Sequence, residues 1–138
     1  GHQETQISAL RCVADLDAGP IYMKRPLSLQ GSASEIFLRA ADVVQEMIEE
    51  IVRTEPISEP QEGEPTVFRR RIPEQSNLRE ANLVTLKDFF DFIRMLDAPN
   101  YPLAFIEHES FLLEFSHAQL LSNSIEARVT IRRKDDLQ

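Results

Sequence analysis

A chain of 138 residues, 42% apolar and 28% charged, has the make-up of one globular domain or part of one. A net charge of −8 and a pI near 4.9 argue against nucleic acid as a partner, because such surfaces need clustered Lys and Arg. No apolar run approaches the roughly 20 residues of a membrane span. The lone Cys12 cannot close an internal disulfide, which points to a reducing, cytoplasmic setting.

In chain order, 5–13 is rich in β-formers and reads as a strand. The run 14–19 then makes a turn with Asp17 at its tip, where Asp and Gly are ordinary turn residues. Extended character resumes over 20–29, with Pro26 marking an edge or strand end, so the two segments are expected to pair antiparallel. Nothing precedes that pair to give it a larger sheet, which suggests that the front of a bigger domain lies outside this sequence.

Gln30-Gly31 breaks the strand, and Ser32-x-x-Glu35 is a capping box that predicts a helix over 33–53. Ile36, Ala40, Val43, Val44, Met47, Ile48 and Ile51 recur at helical spacing and form one apolar stripe, expected to pack on its own sheet. Residues 54–65 hold three prolines and four glutamates with almost nothing to bury, and read as a solvated acidic linker rather than a metal site. Arg69-Arg70-Arg71 follows. Arginine suits a planar, bidentate grip on phosphate or carboxylate, and the plain alternative is a surface patch paired to the acidic linker.

Thr85-x-x-Asp88 caps a second predicted helix, 86–96, with Leu86, Phe89, Phe90, Ile93 and Leu96 on one face and Phe92 off it. Residues 107–110 read as a turn between extended segments. Over 124–133, Ile125, Ala127, Val129 and Ile131 alternate with Glu126, Arg128, Thr130 and Arg132, the pattern of a half-buried strand. From 132 onward the chain should fray. His2, His108 and His117 lack metal-ligand spacing, and none is carried as catalytic.

Three segments resemble one family. The run Asp15-Leu16-Asp17-Ala18-Gly19-Pro20-Ile21 resembles the D-(A/T)-G-x-I segment of the formyltransferases that use 10-formyltetrahydrofolate. Arg70-Arg71-Ile72-Pro73-Glu74-Gln75-Ser76 resembles the R-R-x-P-(E/D)-x-(S/G) loop of the sugar-nucleotide branch, and Tyr101-Pro102-Leu103-Ala104-Phe105 resembles its Y-P-x-A-F segment. The resemblance implies an α/β enzyme, or α+β when seen as a fragment. Its expected parts are the end of a catalytic domain over 1–53, the linker over 54–66, and a small β-rich subdomain over 67–138.

Its activity would be transfer of a formyl group from 10-formyltetrahydrofolate to an amine. The acidic pI and the arginine loop favour the amino group of a nucleotide-linked sugar, with nucleic acid unexpected as a partner. A methionyl-tRNA formyltransferase and a non-catalytic interaction domain derived from the family are the alternatives. The family works with an Asn–His–Asp constellation, in which Asp17 matches the carboxylate that orients the imidazole. The Asn-x-His motif has no counterpart in this sequence, so the chain alone is expected to be inactive. Arg70 and Arg71 are the implied substrate contacts, and no metal is implied.

Overall fold

The computed structural model describes residues 2–136; Gly1, Leu137 and Gln138 lie outside the described residues. The element order is β1 (Glu4–Leu10), β2 (Ile21–Ser28), α1 (Ala33–Thr54), a 3-10 turn (Pro73–Ser76), α2 (Leu86–Arg94), β3 (Ala104–His108), β4 (Phe111–Leu120), β5 (Ile125–Arg133) and a final 3-10 turn (Lys134–Asp136). This is the mixed α+β content expected of the fragment. Backbone proximity groups the chain into two units, residues 31–34 with 69–138 and residues 2–30 with 35–68.

In the unit of 2–30 and 35–68, β1 and β2 form an antiparallel ribbon from Glu4 opposite Ser28 to Leu10 opposite Ile21. A bulge falls at Ala9/Leu10, where Tyr22 is the extra residue. Pro26 sits inside β2 opposite Gln6, as a two-stranded ribbon with free edges permits. Two arginines tie α1 to β2. Arg39 donates to the Ser28 and Gln30 carbonyls, and Arg25 pairs with Glu50.

The predicted stripe of α1 divides in two. Ile36 and Met47 are buried, whereas Val44 and Ile48 are exposed together with Phe37, Leu38 and Val52. The helix therefore carries apolar residues on more of its circumference than one narrow stripe.

In the unit of 31–34 and 69–138, β3, β4 and β5 make an antiparallel meander in that order. Its core is Leu78, Ile93, Leu96 and Ala104, with Leu83, Phe92, Ile106, Phe115 and Ala118 packed around it. The capping box is present: the Thr85 hydroxyl accepts from the Asp88 amide, and the Asp88 carboxylate accepts from the Thr85 hydroxyl and amide. The Thr85 hydroxyl bond, then the Thr85 and Val84 amides, hold the Asp88 carboxyl below the usual carboxylate range.

One turn on, burial pushes the Asp91 carboxyl up, but hydrogen bonds from Lys87 and Arg94 outweigh it and the net shift is downward. Arg94 is itself buried, donates to the Gly31 carbonyl at 2.6 Å, and lies over the Phe90 ring.

Three expectations are corrected here. Leu86 and Phe89 are exposed, because the sheet lies under a face rotated from the predicted one, the side on which Phe92 packs against the core. Val129 and Ile131 alternate as expected but are 44% and 63% exposed, since no described element covers that end of β5. The carboxyl end does not fray at 132. β5 runs through Arg133, and Lys134 bonds the Ser110 carbonyl and Glu107.

Candidate functional site

Asp17 sits on the loop between β1 and β2, which the sequence makes from a strand end, small residues and a proline. The loop closes at its base through the Arg11 amide, which donates to the Pro20 carbonyl at 2.8 Å. Gly19 is buried and lies flush on Arg11: a Cβ there would come within 1.8 Å of the Arg11 carbonyl oxygen. Any side chain would force the loop open. Asp17 takes a left-handed backbone, φ 55°, one of the few residue types that does so readily. Residues 11–18 are exposed, and the loop walls a concavity of about 360 Å³ that also touches Cys12. The Asp17 side chain is exposed to solvent.

The linker is exposed, as expected, but it is not free. Glu59 and Ile21 exchange backbone hydrogen bonds of 2.9 and 2.7 Å, and the Gln61 carboxamide donates to the carbonyls of Asp17 and Gly19 at 2.7 and 2.8 Å. Sequence reasoning missed Gln61. A hydrogen bond across more than forty residues leaves no periodic mark, and the only clue was an amide side chain among prolines and acids.

In the other unit the arginine loop leads into the 3-10 turn, started by Pro73 where a missing amide costs nothing. The Gln75 side chain accepts from the Ile72 amide, and the Arg71 guanidinium donates to the Gln75 carbonyl at 2.7 Å. The same guanidinium lies 5.4 Å from the centroid of the Phe92 ring. Arg71 is thus held on one edge and one face, with its remaining N–H groups open.

Arg70, Arg71, Ile72, Pro73, Asn100 and Tyr101 line a cleft of about 340 Å³. No described carboxylate pairs with Arg69, Arg70 or Arg71, although acids outnumber bases in the chain 23 to 15. Two unpaired guanidiniums beside a tyrosine ring are suited to an anion attached to something flat. The structure therefore brings Tyr101 of the third segment to Arg70 and Arg71 of the second. Asp17 belongs to the other unit.

The histidines add no chemistry. His108 ends β3 and is exposed; His117 is also exposed, not partly buried, because it sits at a bulge in β4 with φ 52° and its amide donates to the Asp97 carboxylate. No group of three His, Cys, Asp or Glu among the described residues could hold a metal ion. No helix among the described residues is long and apolar enough to cross a membrane.

Residues 73–132 match the family model of the methionyl-tRNA formyltransferase C-terminal domain. Among solved structures, the chain is similar to the methionyl-tRNA formyltransferase from Clostridium thermocellum, with 42% identity and a TM-score of 0.89. The chain is a carboxy-terminal formyltransferase portion. The match covers 95% of this chain and 57% of that enzyme, so the chain spans little over half the length of the formyltransferase it matches. A search of the curated proteins returns no match.

Two expectations, one drawn from the resemblance and one from net charge, are at odds with these likenesses. The nucleotide-linked sugar acceptor finds no support, since both matches carry the name of the methionyl-tRNA branch. The expectation of no nucleic-acid partner conflicts with a formyltransferase relative named for a tRNA substrate.

Proposed function

We propose that this chain is the carboxy-terminal part of a formyltransferase that moves the formyl group of 10-formyltetrahydrofolate onto the amino group of a methionyl-tRNA. The observation that carries the reading is the 42% identity over 95% of the chain. In it, residues 1–53 end the catalytic domain, 54–66 link, and 67–138 form the appended subdomain.

A neutral amine must attack the formyl carbon, and a base must take the proton it sheds. Asp17 is read as the carboxylate that accepts the N–H of the family's histidine, fixing its tautomer and steadying the imidazolium that forms. Its exposure on a built loop fits a partner supplied from another segment. Arg70 and Arg71 are read as contacts to acceptor phosphate, with Tyr101 offering a stacking face.

The test is a formyl-transfer assay on a protein that joins this chain to the family's Asn-x-His segment, with methionyl-tRNA and a nucleotide-linked amino sugar as rival acceptors. Asp17→Asn is expected to lower turnover by about 10²–10⁴-fold with folding intact. Arg71→Ala is expected to raise KM for the acceptor about tenfold or more, the worth of a charged hydrogen bond. Turnover of the sugar but not the tRNA would overturn the acceptor. Full turnover in Asp17→Asn would remove the role of Asp17.

A further inference from the structure

The Asp17 turn is held from two directions that do different jobs. At its base, the Arg11–Pro20 hydrogen bond and the Gly19–Arg11 contact continue the β1–β2 ribbon. At its tip, nothing from the ribbon reaches the chain. The hold there comes from Gln61, whose single Nε2 donates both of its hydrogens, one to the Asp17 carbonyl and one to the Gly19 carbonyl. The two acceptors flank Ala18, so one carboxamide bridges the peptide groups on either side of the tip.

Gln61 is in turn set by the two-way backbone bridge between Glu59 and Ile21, two residues before it and at the first position of β2. The linker thus works as a strap laid across the loop. Aspartate can take a left-handed backbone but does not hold it by default, so the contacts around it decide whether it stays there. The strap reaches Asp17 through that residue's own carbonyl.

We propose that Gln61 is the positioning residue of Asp17: it fixes the peptide of Asp17 in the left-handed well and so fixes the direction in which the carboxylate leaves the loop. This rests on the reading of Asp17 as the orienting carboxylate. Glutamine fits the task because one nitrogen must supply two donors to two carbonyls at once. Glutamate has the same shape but would set carboxylate oxygen against carbonyl oxygen. Gln61→Glu and Gln61→Ala remove the two bonds by different routes, the first without loss of volume.

The experiment is steady-state kinetics of the complete formyltransferase carrying Gln61→Ala, Gln61→Glu, Asp17→Asn and the double variant Asp17→Asn/Gln61→Ala. Hydrogen exchange of the 11–28 segment is followed in the same proteins. A misdirected catalytic group costs on the order of 10²-fold in rate. Both Gln61 variants should therefore lose about ten- to a hundredfold in kcat with KM within twofold. The double variant should be no slower than Asp17→Asn alone, because groups acting through one another are not additive.

Exchange should quicken at 17–19 and stay slow in β1 and β2. Near-normal kcat in both Gln61 variants, with Asp17→Asn crippled, overturns the inference and leaves the reading of Asp17 standing. Losses that multiply in the double variant, or faster exchange throughout β1 and β2, show a general structural role and also overturn it. Normal turnover in Asp17→Asn removes the reading and the inference together.

Discussion

The two units put their apolar residues to different use. In the unit of 69–138, Phe92 and Ile93 of α2 and Leu96 just past its end pack in the core, and Leu96 and Ala104 are almost wholly removed from solvent. In the other unit, the 35–54 part of α1 is more than twice as long as α2 yet buries only Ile36 and Met47, while Phe37, Leu38, Val44, Ile48 and Val52 stand exposed. The first is a small core built from its own elements. The second is a helix dressed for cover on more than one side, and a contiguous exposed face of that kind is the usual mark of an element meant to be packed against. The candidate residues are split in the same way: the arginine cleft rests on one unit and Asp17 on the other.

The contrast can be broken most sharply at Leu96. Leu96→Ala empties the centre of the core and should cost about 2–5 kcal/mol, read as a lower midpoint in urea. If the loss is as small as that of a surface change, the cluster is not the core.

The next effect sits at the α2 cap. Thr85→Ala should cost about 1 kcal/mol of stability by thermal or urea unfolding. It should also let the Asp88 carboxyl rise toward its ordinary value, since the Thr85 hydroxyl is the main cause of its depression. A carboxyl lowered in the folded state stabilises above its unfolded pKa, near 4, and that contribution disappears as pH falls through the folded value. Thr85→Ala should therefore flatten the acid limb of the stability profile, and an unchanged Asp88 titration by NMR would refute the assignment.

The smallest effect belongs to α1. Val52→Ser, at a residue 74% exposed, should change the stability of this chain by no more than about 0.5 kcal/mol. A larger loss would mean that the exposed face is covered in solution.

What the sequence disclosed follows from what is local. The Thr85–Asp88 box, the α1 boundaries and the antiparallel pairing of β1 with β2 all depend on neighbours within a few residues, and all appear as read. What lay hidden depends on partners far along the chain. Periodicity shows that β5 has two faces but not whether either is covered, so Val129 and Ile131 were misjudged. It shows that α2 has an apolar arc but not where the sheet lies, so Phe89 was placed on the covered face and is exposed. Of the candidate site, Asp17, Arg70 and Arg71 were legible because short motifs carry them, while Gln61 and the closeness of Tyr101 to the arginines arise only when the chain is folded.

Asp97, just past the end of α2, joins three segments that lie far apart in the sequence. Its carbonyl accepts the Ser34 amide and hydroxyl, and its carboxylate accepts the His117 amide at the β4 bulge. A strand slipped by one residue would turn Phe115 from core to solvent along with every second neighbour. By clasping the one irregular residue of β4, Asp97 acts as an index pin for the meander. The extra residue is locked at one place, and the sheet has a single frame in which it can be read.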